Sequence, residues 1–270
     1  MAAPLFKWPG GKRWLAPLIQ REFWSSDRRL IEPFAGGAAV FFAVEPKRAV
    51  LGDMNPEVVN CYRWVRDDAA GLIKRLSALN NSADEYYRIR SWQPSSEFDR
   101  AVRFLYLTRL SFNGIYRENT KGQFNVPYGG KTHLAVVQPS SLLKSSALLK
   151  NAELVAQDFQ QTAEMAEAGD LVYLDPPYTT AHNNNGFVKY NAKIFSWQDQ
   201  ERLAQTAAAL VDRGCLVIAS NAHHDSIHAL YSAFEVRHIN RFSVIGAKKT
   251  YRRQITESLF VSHERGLRNG

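Results

Sequence analysis

Short unbroken apolar runs punctuate this chain, each closed by glycine, proline or an acid. They lie in Arg29 to Pro33, Ala49 to Asp53, Leu154 to Ala156, Leu171 to Leu174 and Leu216 to Ala219. Runs this short, bounded by turn residues, read as buried strands. Two further strands are predicted near residues 234–239 and 255–261. Between the runs the pattern turns helical. Ala38 to Phe42 begins an apolar helix after the turn Phe34-Ala35-Gly36-Gly37, Pro56 opens another as a first-turn proline, and a longer helix covers about 198–212. Strands alternating with helices predict an α/β fold, a doubly wound sheet ending in an antiparallel pair.

Residues 70–150 interrupt this alternation. They are mostly helical in pattern and end in a polar, glycine- and asparagine-rich loop from Asn113 to Gly130. The expected organisation is a main α/β domain built from residues 1–69 and 151–270, with residues 70–150 inserted as a separate module. Ligands of open α/β sheets bind beyond the carboxyl ends of the strands, where Gly36, Gly37, Asp53 and Asp175 are all expected.

The length of 270 residues suffices for such a domain plus an insertion, and 45% hydrophobic with 12% aromatic content excludes a disordered chain. The formal charge of +8 gains meaning from its distribution. No acid lies between Glu235 and Glu257, a stretch holding Arg237, Arg241, Lys248, Lys249, Arg252 and Arg253. From Arg100 to Lys131 only Glu118 interrupts a set that includes Arg103, Arg109, Arg117 and Lys121, interleaved with Phe104, Tyr106, Phe112, Tyr116 and Tyr128. Cations mixed with aromatic rings suit a surface that grips phosphates and touches bases.

Two cysteines, Cys61 and Cys215, make no disulfide framework, so a reducing, cytoplasmic setting is expected. No run approaches the roughly 18 apolar residues of a membrane span, and no signal peptide is read at the amino terminus. His223, His224 and His228 have a spacing that fits a helix turn, but no cysteine or acidic cluster completes a ligand set. The expectation is therefore no metal, with these histidines solvated on a helix.

The segment richest in chemistry is Asp175-Pro176-Pro177-Tyr178, at the end of the Leu171 to Leu174 run. An amino group on a planar base is a poor nucleophile because its lone pair is delocalised into the ring. Two acceptors can localise it: the Asp175 carboxylate and the Pro176 carbonyl, carried on a proline backbone that fixes the chain direction. Tyr178 then offers a ring face for stacking. In isolation, Asp-Pro-Pro reads first as an ordinary strand end before a proline-rich turn, and the rest of the chain shifts the balance.

A glycine turn after a first strand lets a nucleoside approach the backbone, and an acid ending the second strand can accept both ribose hydroxyls. Gly36-Gly37 falls short of the full G-x-G-x-x-G pattern. Phe6-Lys7-Trp8-Pro9-Gly10-Gly11-Lys12 is no ATP loop, since it lacks the spacing and the preceding strand, and Arg13 follows the lysine. Together these pieces closely resemble the Dam-type (D12 class) DNA adenine-N6 methyltransferases. The resemblance runs through Phe6 to Lys12, Glu32 to Gly37, Gly52 to Asn55, Leu105 to Arg109, Asn113-Gly114, Phe124 to Gly129, Asp175 to Tyr178 and Ser220-Asn221, in that order.

The resemblance implies a Rossmann-like, S-adenosylmethionine-dependent sheet with an inserted target-recognition domain, and duplex DNA as partner. It implies cofactor contacts at Trp8, Lys12, Phe34, Gly36, Asp53, Asp158, Phe159 and Asp175. Catalysis is expected from Asp175, Pro176, Pro177 and Tyr178 on an adenine flipped out of the helix, without a metal or a covalent intermediate. On the DNA side it implies Asn113 and Arg117 entering the helix, Arg117 pairing with a guanine, and Phe112 or Ile115 wedging into the vacated space. Tyr128, Lys131, Lys248 and Arg252 are expected to support them. Relatives that read GATC often carry a basic residue after Asn-Val-Pro-aromatic-Gly; here that position is Gly130 and Lys131 follows. A monomer, encoded by a bacterium or phage, is expected. Two alternatives stay open: a DNA-binding protein without catalysis, and an amino methyltransferase acting on RNA or a protein amide, which would more often carry Asn in place of Asp175.

Overall fold

The computed structural model describes residues 3–119, 121–180, 195–242 and 254–263, which form two compact units, Met1–Phe159 and Gln160–Gly270.

In the first unit, strands β1 (Leu30–Glu32), β2 (Ala49–Asp53) and β3 (Ala152–Ala156) lie in the order β3-β2-β1, all parallel. β1 is wholly buried, including its acid. The Glu32 carboxylate accepts the Phe41 N–H at 2.6 Å, in the first turn of α2 (Ala39–Val44). It thereby satisfies one of the helix's orphan donors with a charge of the favoured sign. α1 (Ala16–Glu22) precedes these elements. α3 (Pro56–Asp67) starts on Pro56 as its pattern predicts, with Asn55 accepting the Glu57 N–H at 2.9 Å. The helices that follow, α4 (Ala69–Ser77), α5 (Ala83–Ser91) and α6 (Glu97–Leu110), are capped by Asp68, Ser82 and Ser96, and α7 (Pro139–Leu149) leads into β3. Residues 70–150 are thus helical around one long loop, as expected. The boundary between the compact units falls at Phe159, so these helices belong to the same unit as β1 to β3.

In the second unit, β4 (Leu171–Leu174) and β5 (Leu216–Ala222) are parallel, while β7 (Gln254–Val261) runs antiparallel to both β5 and β6 (Glu235–Phe242), giving the order β4-β5-β7-β6. The antiparallel pair at the chain's end matches the sequence reading. α8 (Phe159–Glu164) begins at the boundary between the units. α9 (Trp197–Asp212) opens on a capping box in which Ser196 and Asp199 satisfy each other's backbone N–H. α10 (Asp225–Leu230) is short and is capped by His224. Cys61 and Cys215 are buried free thiols. Among the described residues no helix is long and apolar enough to cross a membrane.

Candidate functional site

Within the first unit, the glycine turn and Asp53 form one hydrogen-bonded assembly. Gly36 has φ +45, and a Cβ there would lie 2.4 Å from the Trp8 indole, so both backbone conformation and packing demand glycine. Its N–H donates to the Asp53 carboxylate at 2.8 Å, and its carbonyl accepts the hydroxyl of fully buried Tyr62 at 2.7 Å. The other Asp53 oxygen accepts the Asn55 N–H at 2.8 Å. Burial raises the pKa of Asp53, opposed by the N–H groups of Asn55 and Gly36. Phe34, half-buried, stacks on Phe159 with centroids 5.2 Å apart, and Asp158 stands beside that pair in sequence. Trp8 stacks on Tyr116 at 5.0 Å, tying the amino-terminal segment to the long loop. Lys12 is buried, its ammonium donating to the Gly10 carbonyl at 2.8 Å.

That loop is a hairpin-like finger. Ser111 and Tyr128 bridge at its base, Glu118 and Phe124 bridge further out, and Asn119 N–H donates to the Gln123 carbonyl at 2.9 Å near the tip. Asn113 (φ 55) and Gly114 (φ 67) occupy the left-handed region in succession, a tight turn suited to Asn-Gly. The turn leaves Phe112 45% and Ile115 36% exposed. Arg117 is exposed and donates to the Asn125 side chain at 2.8 Å. Tyr128 is half-buried, its hydroxyl on the Asn81 side chain at 2.6 Å. Lys131 is exposed and has a companion that the sequence reading passed over. The Lys7 ammonium is held below its ordinary pKa by burial and by the charges of Lys131, Arg13 and Arg109, so these four cations form one positive cluster.

Other members of the basic and aromatic stretch work internally, contrary to the sequence reading of one nucleic-acid surface. Arg103 caps α5 by donating to the Ile89 and Arg90 carbonyls at 3.2 and 2.7 Å. Phe104 and Tyr106 are core. Helical spacing along α6 turned them inward, while Phe112, beyond the helix, is left outside by the turn.

In the second unit, the Asp175 to Tyr178 segment is held at successive points. Asp175 accepts the Ser220 hydroxyl at 2.8 Å, and Ser220 is also 3.1 Å from the Tyr173 hydroxyl. The Pro177 carbonyl accepts the Gln200 amide at 3.1 Å, and Gln200 in turn accepts from the Asn221 side chain at 2.9 Å. The neighbouring pair Ser220-Asn221 on β5 therefore anchors both ends of Asp175-Pro176-Pro177. Tyr178 donates its hydroxyl to Glu257 at 2.8 Å, and Glu257, on β7, is 3% exposed. Burial first, then the charges of Asp175 and Glu257, push the Tyr178 pKa well up, so the phenol stays protonated. Pro176 is buried between these anchors.

Tyr62, Gln200, Glu257 and Lys7 were not singled out from the sequence. A lone acid inside a predicted strand was the one local signal for Glu257. Lys248 and Arg252 lie outside the described residues. The three histidines do not share a helix: His223 follows β5, His224 caps α10, and only His228 lies within it.

A family description, D12 class N6 adenine-specific DNA methyltransferase, matches residues 8–245. A type II methyltransferase, M1.LlaDCHI of Lactococcus lactis subsp. cremoris, is 36% identical over 96% of this chain and 95% of its own length. The type II methyltransferase M.MjaIII of Methanocaldococcus jannaschii is 32% identical over 96% of this chain and 99% of its own. A DNA adenine methylase of Haemophilus influenzae is 35% identical over 83% of this chain and 80% of its own. By these matches the chain belongs to the D12 class of N6 adenine-specific DNA methyltransferases.

Proposed function

We propose that this chain methylates the exocyclic N6 amine of an adenine flipped out of duplex DNA, with S-adenosylmethionine as methyl donor. The observation that carries this reading is the Asp175 to Tyr178 segment, in which the Asp175 carboxylate, the Pro177 carbonyl that follows Pro176, and the Tyr178 hydroxyl are fixed from β5, α9 and β7. The first unit fits a nucleoside-bearing cofactor. Asp53 presents a carboxylate oriented by two backbone N–H groups, the Phe34 and Phe159 rings form an apolar wall, and Gly36 keeps the turn free of a side chain. Trp8, Lys12, Phe34, Gly36, Asp53, Asp158 and Phe159 of this unit would hold it. When bound, S-adenosylmethionine supplies an electrophilic methyl group on sulfur.

Asp175 accepts one N–H of the amine and the Pro176 carbonyl accepts the other, which draws the nitrogen lone pair out of ring conjugation and leaves an acceptor beside the proton that must depart. Tyr178 stacks on the base. Flipping costs a few kcal/mol, and stacking worth about 1–3 kcal/mol offsets much of it. Ser220 and Glu257 act as positioning residues for Asp175 and Tyr178.

Residues 70–150 serve as target-recognition module within a catalytic domain of residues 1–69 and 151–270. Phe112 or Ile115 wedges the stack and Asn113 enters beside them. Arg117 reads a guanine, and the Lys7, Arg13, Arg109 and Lys131 cluster neutralises phosphates. GATC is the first sequence to test. Sequencing of methylated genomic DNA from a host expressing the chain should reveal N6-methyladenine at one short site, strongly reduced with Asp175→Ala; methylation at the parent's level with the variant would overturn the reading. Arg117→Ala should relax discrimination at one base pair by about 1–3 kcal/mol; a uniform loss on all sequences would make Arg117 a phosphate clamp.

A further inference from the structure

Three imidazoles from three separate elements of the second unit meet on one face of β7. His238 on β6 stands directly opposite Ser258, and Ser258 pairs on its other side with Asn221 near the end of β5. His223 follows two residues after Asn221, and α10 brings in His228. The ring centroids lie 4.9 Å apart for His223 and His228, 4.6 Å for His223 and His238, and 5.6 Å for His228 and His238. One ligand nitrogen from each lies within 4.8 Å of the others. Two of these rings already share a partner, since Ser258 Oγ is 3.1 Å from His223 Nδ1 and 2.8 Å from His228 Nε2.

We propose that His223, His228 and His238 form a three-histidine site for a divalent transition ion, with Zn²⁺ as the cellular occupant. Imidazole is a preferred ligand for such ions, and zinc imposes no directional preference of its own. With zinc–nitrogen bonds of about 2.0–2.1 Å, tetrahedral ligands stand about 3.4 Å apart, so the rings need to draw in by little more than 1 Å at the widest pair. Rotation about the side-chain bonds suffices, since His223 and His238 are exposed and His228 is half-buried. The ligands must be neutral. Burial and the neighbouring His223 and His238 hold the His228 imidazole below its ordinary pKa, against the opposing pull of Asp225.

With only three protein ligands, water would complete the coordination. An ion here staples the end of β5, α10 and edge strand β6 across β7. Its role is therefore structural: Ser258 lies one residue from Glu257, which points to the opposite face and holds Tyr178.

The test uses the full chain stripped with chelator, titrated with Zn²⁺ in competition with a chromophoric chelator, and with Co²⁺ to read coordination by visible absorption. The expected result is one ion per chain, a Co²⁺ spectrum of low coordination number, and a thermal midpoint that rises with Zn²⁺ and falls back with EDTA. Zn²⁺ affinity should drop at least tenfold in His238→Gln and again in His223→Gln, both on exposed side chains, while His133→Gln binds as the parent does. Absence of binding by the parent chain, unchanged binding by both folded cluster variants, or loss of binding on His133→Gln would each overturn the proposal.

Discussion

Two strand-end carboxylates, Asp53 in the first unit and Asp175 in the second, are oriented by partners of different kinds. Asp53 rests on backbone N–H groups, those of Gly36 and Asn55, at 2.8 Å each. Asp175 accepts a side-chain hydroxyl at 2.8 Å from Ser220, on a neighbouring strand. A backbone donor is deleted only by proline; any other substitution can only misplace it by changing the conformation of the turn that carries it. A side-chain donor can be removed singly. The first half should therefore fail at one steric point, Gly36, whereas the second should degrade in steps as its anchors are taken away.

The largest expected effect is at the reacting end. Asp175→Ala should lower the methyl-transfer rate by about 10²–10³, the scale for removing one preorganised electrostatic contact, with DNA affinity retained. Parent-like turnover would remove Asp175 from catalysis. Gly36→Ala comes next. It forces a side chain onto Trp8 in a left-handed conformation, and a cost of about 3 kcal/mol should appear as weakened cofactor binding in calorimetry. Intact binding would show that the turn does not shape the cofactor site.

Ser220→Ala should cost about 1.5–3 kcal/mol, the worth of a hydrogen bond to a charged group. The comparison demands that this loss fall on kcat and leave cofactor affinity unchanged. Glu257→Gln should act the same way and more mildly. Tyr178→Phe should resemble it, because the ring survives while the donor to Glu257 is lost. A change confined to cofactor affinity would contradict the division of labour between the halves. The smallest effect concerns pH. In the proposed site, ribose hydroxyls would donate to an ionised Asp53, whose pKa burial raises above the ordinary 3.8. Cofactor affinity should therefore be full at neutral pH and decline, as pH falls, at a higher pH than an ordinary aspartate would give. A decline centred at the ordinary value would mean that the cofactor does not rely on Asp53.

Leu171 to Leu174 was legible as a strand because strands covered on both faces carry continuous apolar runs. Pro56 as a helix start was legible because proline lacks only an N–H that the first turn leaves unused. Asp175, Pro176, Pro177 and Tyr178 stood out because the chemistry needs them adjacent in the chain. Glu257 and Ser220 did not, since nothing near them in sequence names their partners. Arg103 was misread for the same reason, its carbonyl partners lying a helix away.

The histidines show the divide most sharply. Sequence spacing drew attention to His223, His224 and His228, yet the third ring of the cluster is His238, brought in by the register of β6 against β7. Local residue order alone determined the α/β class, the family and the segment proposed to react, because burial pattern, turn chemistry and motif are properties of consecutive residues. Tertiary structure decided which distant side chains complete each group. Strand register and helix packing place atoms within 3 Å whatever their separation along the chain: the Asn55 N–H on Asp53 is local, but the Gly36 N–H on Asp53 and the Ser220 hydroxyl on Asp175 come from distant residues.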